Sequence, residues 1–167
     1  ALPTELSGRI NLEAQRKSNK FTKKIPLGAC SHKEFYLEIY SLICALEETS
    51  FPQEMFAWGF YTMLSSASHL LLVAEEEGQI VGLLHLRMEF QLHHCGTVAE
   101  IMELIVSREV RSKGIGAALL KAAREQAIQH HCIQFEVTSN QKRKQAHRFY
   151  QREGLEQTHI KMTEALL

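Results

Sequence analysis

The chain has no aspartate and no surplus of either charge, since 19 lysines and arginines offset 19 glutamates. The general basic excess behind nonspecific nucleic-acid binding is therefore missing. No apolar run approaches the roughly 20 residues of a membrane-crossing helix, and the N-terminal stretch lacks a signal-peptide core. The four cysteines, Cys30, Cys44, Cys95 and Cys132, form no Cys-x-x-Cys pair, which argues against a zinc knuckle and a secreted disulfide scaffold. These absences predict a soluble, cytoplasmic protein with reduced thiols and with neither nucleic acid nor membrane as partner.

What is present suits one globular domain: 167 residues, 45% of them hydrophobic, with no long polar low-complexity tract. Residues 1–20 are polar and basic and are read as an N-terminal extension or arm, leaving 21–167 as the domain. A short strand is expected over Phe21–Leu27, and Ser31 and Glu34 have capping-box spacing for a helix reaching about Glu48. Its apolar stripe is Phe35, Ile39, Leu42, Ile43 and Leu46. Pro52 suits the first turn of a second helix ending near Ser65. Strands over His69–Glu75 and Gln79–Phe90 flank a Glu77-Gly78 turn, and another covers Val98–Val106. A helix from Gly114 to about His130 offers Leu119, Leu120, Ala123 and Ala127 for packing, and Ile133–Ser139 is strand-like. The last helix, about Arg143–Arg152, ends at Gly154, and a terminal strand is expected over Leu155–Met162. This order predicts a mixed α/β sheet.

Between the fourth strand and the following helix runs Arg111-Ser112-Lys113-Gly114-Ile115-Gly116-Ala117. The first N–H groups of a helix lack intrahelical partners and carry partial positive charge, and glycines let a backbone approach an anion closely. The segment is thus either a phosphate cradle or an ordinary glycine-bearing loop. It has neither a Gly-Lys-Ser/Thr ending nor the third glycine of the dinucleotide fingerprint.

Arg111-x-x-Gly114-x-Gly116 after the fourth strand resembles the GNAT superfamily of acetyl-CoA-dependent N-acetyltransferases. So does Asn140 followed by Ala146-His147-Arg148-Phe149-Tyr150, with Gly154-Leu155 where an aromatic commonly ends the motif. Further segments, Leu42–Leu46, Phe90–His94 and Glu100–Val106, resemble bacterial aminoalkylphosphonate N-acetyltransferases. The resemblance covers about Phe21–Leu167. It implies a mostly antiparallel sheet flanked by helices, with splayed fourth and fifth strands. It also implies acetyl-CoA as cosubstrate, with its pyrophosphate at Arg111–Ala117, its pantetheine along Leu104, Ile105 and Val106, and a contact from Asn140. The implied reaction is direct attack by the primary amine of a small molecule, an aminoalkylphosphonate by preference, in a ternary complex. The alternatives are another amine (polyamine, amino sugar or protein) or a noncatalytic acyl-CoA-binding regulatory module. A homodimer is compatible with the chain.

Such a transfer needs a deprotonated amine, stabilisation of charge on the thioester oxygen, and a donor to the departing sulfur. The resemblance makes Tyr150 the acid, where a core tyrosine is the plainer alternative. Glu100 and Glu103 are the candidate bases, with Glu103 preferred. Side chains alternate along a regular strand, so the two face opposite ways unless a bulge intervenes. The oxyanion would meet a backbone N–H near Leu104 or Ile105. His85, His93 and His94 form a local cluster with three open readings: phosphonate binding, with His93 and His94 as substrate contacts; ligation of a divalent metal; or a polar loop. Arg87 is left unassigned, and Lys142-Arg143-Lys144 reads as a solvated helix start.

Overall fold

The computed structural model describes residues 23–24 and 32–166. The expected arm, most of the Phe21–Leu27 strand, and Ser31 of the capping pair lie outside the described residues. The elements are β1 (Lys23–Lys24), α1 (His32–Glu47), α2 (Gln53–Leu64), β2 (His69–Glu76), β3 (Gln79–Gln91), β4 (Gly96–Val106), α3 (Ile115–Gln129), β5 (Gln134–Val137) and α4 (Lys144–Arg152). One turn of 3-10 helix, Arg108–Val110, separates β4 from α3. The strands form one sheet in chain order, antiparallel except for the parallel β4–β5 pair.

The β2–β3 hairpin closes on Glu77 (φ 54°) and Gly78 (φ 81°), with Glu76 opposite Gln79. Positive φ at both central residues is the turn whose twist matches the flanking strands. The sheet is covered on both faces, so β2 and β3 read as nearly continuous apolar runs rather than alternating ones. One face packs Leu70, Leu72, Leu84, Leu86 and Ile101 against Leu119, Leu120, Ala123 and Ala127 of α3. The other packs Leu71, Val73, Leu83 and Ile105 against Ile39 of α1 and Phe60 of α2, and the expected α1 stripe of Phe35, Leu42, Ile43 and Leu46 joins this second core. Each fully buried leucine or isoleucine contributes about 1.5–3 kcal/mol. The Ile80 N–H donates to Glu38 Oε2 at 2.5 Å, tying α1 to the start of β3.

Gly82 of β3 is where α3 comes down onto the sheet. A Cβ there would lie 3.1 Å from Leu119 Cδ1 and 3.3 Å from Ile115 Cγ2.

The β4–β5 ladder joins Val98–Ile101 to Gln134–Val137 and does not continue along Met102–Val106. The two strands therefore part company halfway along β4. The Leu155–Met162 strand does not form: 155–162 adopts no regular structure, and Ile160 and Met162 are exposed. Leu155, which packs against the α3-side core, stands at an odd position and the other two at even ones. With alternating side chains, no single strand register buries all three.

Candidate active site

The site is built by two irregularities in the sheet. Along β3–β4 the pairing is His85 with Glu103 but Leu86 with Ile101, so Met102 is an extra, bulged residue. The bulge reverses the alternation. Glu100 opposes Arg87 and Glu103 opposes His85, and residues 85 and 87 share one face of β3. Both carboxylates consequently project from the α1/α2 side, correcting the expectation for a regular strand. In the hairpin, Ala74 pairs with Gly82 and Glu75 with Ile80, leaving Val81 extra. That shift sets His69 opposite Arg87, on the face that carries His85.

Four side chains follow from this register. His85 is 3% exposed; its Nδ1 lies 2.5 Å from Glu103 Oε2 and its Nε2 lies 2.8 Å from His69 Nδ1. Arg87 Nη2 donates to Glu100 Oε2 at 2.6 Å and its Nε lies 3.6 Å from Glu89 Oε2. Thr138, just past β5, donates to Glu100 Oε1 at 3.3 Å. Glu100 is thus engaged through both oxygens, whereas Glu103 is held through Oε2. Burial, then the charges of His85 and Arg87, keep His69 below the usual histidine range.

The turn after β4 forms a cleft of about 460 Å³ lined by Val106, Val110, Arg111, Ser112, Gly114–Ala117, Phe149 and Arg152. Gly114 caps α3 with φ 83° and contributes no side-chain cap. Ala118 is bonded back to Gly114, so the amides of residues 115–117 are the ones a helix start leaves open. A Cβ on Gly116 would sit 3.5 Å from Phe149, an ordinary contact. Packing within the protein therefore does not demand glycine there, but an added side chain would intrude on the cleft. Arg111 Nε donates to the Val106 carbonyl at 3.2 Å, and Lys113 pairs with Glu76. This arrangement fits a pyrophosphate: open amides at the start of a 15-residue helix, two cations and no intruding side chain.

On the opposite face of β4 from the carboxylates, Tyr150 and Phe149 of α4 pack on the α3-side core beside Leu104, Val106 and Val137. Burial pushes the Tyr150 phenol up to about 12, against a smaller lowering by Arg143. The phenol is therefore a proton-bearing group at any physiological pH. Arg143 is itself tied to Glu47 and the Leu46 carbonyl of α1. Asn140 accepts the Lys142 N–H at 2.9 Å through Oδ1. This is a turn-forming bond that leaves the Nδ2 amide for any contact with a cofactor arm.

The histidine cluster divides. His85 lies inside β3, while His93 and His94 occupy the β3–β4 turn with rings 4.2 Å apart. Glu103 is seven residues beyond Gly96, about 20 Å along the strand at its usual rise, so a small acceptor cannot touch Glu103 and this turn together. Among the described residues, no group of three or more His, Cys, Asp or Glu is placed to hold a metal ion. His69 was the residue that inspection of the sequence missed. Its relation to His85 and Glu103 depends on both bulges.

The described residues contain no helix long and apolar enough to cross a membrane. Residues 33–155 match the acetyltransferase (GNAT) family. Over 128 residues the chain is 39% identical to an aminoalkylphosphonate N-acetyltransferase of Salmonella typhimurium, spanning 77% of this chain and 83% of that protein. Among solved structures, an aminoglycoside acetyltransferase from an uncultured soil metagenomic sample superposes with TM-score 0.75 at 20% identity, over 87% of this chain and 95% of that one. Glucosamine-6-phosphate N-acetyltransferase from Arabidopsis thaliana gives 0.70 at 22%, over 89% and 99%. At such identities these two speak for the fold. The family match and the Salmonella relative carry the assignment: the chain belongs to the GNAT acetyltransferase family and is an acetyl-CoA-dependent N-acetyltransferase.

Proposed function

We propose that the chain acetylates the primary amine of a small aminoalkylphosphonate by direct attack in a ternary complex. The observation that carries this reading is the placement of two carboxylates on one side of β4 and a protonated phenol on the other. The half-open edge of the strand lies between them. The substrate class is suggested by the name of the Salmonella relative and by Arg87, a cation on the carboxylate face.

Glu103 is the base. With Oε2 held by His85, its other oxygen takes the proton of the acceptor ammonium, directly or through one water. Glu100, fixed between Arg87 and Thr138, keeps the guanidinium aimed at the acceptor's anionic end. Acetyl-CoA supplies an activated acetyl carbon, and a backbone N–H near Leu104 or Ile105 meets the charge that develops on its oxygen. Arg111–Ala117 holds the pyrophosphate, with Asn140 on the cofactor arm. The Tyr150 phenol donates a hydrogen bond to the departing sulfur. The sulfur leaves as the thiolate and takes up, through water, the proton that the acylated nitrogen loses, while the raised pKa of the phenol keeps its own hydrogen in place.

The test is coenzyme A release with a panel of aminophosphonates, polyamines, amino sugars and peptides, each with and without a chelator. An aminoalkylphosphonate should give the highest kcat/KM. A higher value for any other class would overturn the substrate assignment, and the chelator arm reads any need for a divalent metal.

A further inference from the structure

Glu103 does not stand alone: it ends a row of three titratable groups, one on each of β2, β3 and β4. The row is His69, His85, Glu103, with separations of 2.8 and 2.5 Å. Each gap holds one hydrogen. A carboxylate can only accept, so His85 must present Nδ1–H to Glu103. A neutral His85 then has a bare Nε2, and the hydrogen in the second gap must come from His69 Nδ1. His85 is buried, so water does not readily replace that donor. The tautomer that Glu103 sets on the central imidazole is therefore reinforced from the neighbouring strand, β2.

We propose that His69 is a positioning residue for the acetyl-transfer reaction, holding the ring of His85 through its bare Nε2 and so reinforcing the Nδ1–H tautomer that keeps Glu103 an aimed carboxylate. The inference rests on the assignment of Glu103 as base. The same geometry gives it a pH dependence. A proton entering at the half-buried His69 passes from Nδ1 to His85 Nε2, and His69 becomes the acceptor. His85 is then an imidazolium clamped to Glu103. The charged groups acting on His69 are His85, Arg87 and Glu89 of β3 and Glu103 of β4. Burial first, then His85 and Arg87, disfavour that extra proton near neutral pH, leaving the row in its neutral polarity.

The experiment uses the full chain and follows kcat and KM against pH for wild type, His69→Ala and His69→Asn, with acetyl-CoA and the best acceptor of the panel. His69→Ala should lower plateau kcat about 10- to 100-fold, the usual cost of losing an orienting partner, with the acetyl-CoA KM little changed. The Asn amide can donate from the place of Nδ1, so it should restore most of kcat. Because the amide takes up no proton and its N–H occupies His85 Nε2, the acid limb should move to lower pH. A His69→Ala variant with wild-type kcat and acid limb would overturn the proposal, as would a folded His69→Asn variant no better than alanine. Should the alanine variant fail to fold, proton NMR of the wild type decides: two downfield imidazole N–H signals changing together between about pH 5 and 8 support the row, and their absence overturns it. Failure of the underlying assignment reads differently, as a fully active Glu103→Gln variant whose downfield signal from the His69–His85 gap persists.

Discussion

His85 and Glu103 stand opposite each other across the β3–β4 ladder with Nδ1 and Oε2 2.5 Å apart, while the neighbouring pair on that face, Arg87 and Glu100, meets at 2.6 Å. Two carboxylates of one strand thus have partners of different kinds. One partner is a titratable ring, the other a permanent cation.

That difference separates their substitutions. Glu103→Gln should lower kcat about 100- to 1,000-fold, within the usual range for a general base. Glu100→Gln, whose oxygens are both occupied, should cost less than about tenfold in kcat and act mainly on the acceptor KM. Steady-state thiol release on both variants checks the contrast.

Tyr150→Phe removes a hydrogen bond to a developing charge, worth about 1.5–3 kcal/mol, so kcat should fall about 10- to 100-fold while acetyl-CoA affinity by calorimetry holds. The same residue contributes to loss of stability in alkali. Its folded pKa of about 12 exceeds the unfolded value of 10.0, so between those values the unfolded chain binds fewer protons and stability falls as pH rises. Wild-type Tm should drop more steeply than that of Tyr150→Phe from pH 10 to 12.

At the cradle, the two glycines should fail in different ways. Gly114 sits at φ 83°, where a side chain costs about 1–2 kcal/mol, so Gly114→Ala should lower Tm by about 2–8 °C. Gly116→Ala should leave Tm nearly unchanged, its Cβ making only ordinary contacts, but raise the acetyl-CoA KM severalfold, as its methyl group would intrude on the cleft. Thermal melts beside kinetics distinguish them.

His69 also leaves a thermodynamic trace. Its folded pKa lies below the 6.5 of an unperturbed histidine. Its contribution is therefore complete above about pH 6.5 and is lost as pH falls below that value, because the unfolded histidine takes up its proton first. Wild type should lose Tm on acidification from about pH 7 to 5 more steeply than His69→Asn.

Much of the fold was legible because local chemistry and global position agree. Glu77-Gly78 supplies the two left-handed residues of the hairpin, the α1 stripe has helical spacing, and Gly114 suits the start of α3. The glycine turn before α3 and the place of Tyr150 on α4 were legible for the same reason, since a turn and a helix fix their own neighbours. The base was not. An unbroken hairpin register from Glu76–Gln79 would set His69 opposite Leu86, on the core face, and a regular β4 would turn Glu103 away from Glu100. Val81 and Met102 undo both assignments, and neither is a glycine or otherwise marked as a bulge. The missing terminal strand has a similar cause: its apolar residues exist, but their parity changes between Leu155 and Ile160.

Gly82 gives the cofactor cradle a hidden foundation. The start of α3 is set at its height above the sheet by how closely Ile115 and Leu119 approach this one backbone position. The amides of the turn are carried by the same rigid body. A single methyl group at Gly82 would act as a shim, lifting or tilting the helix start from beneath. On the proposed reading of the turn, pyrophosphate capture is calibrated from the middle of β3, so acetyl-CoA affinity should be tunable through the core without altering a residue of the turn itself.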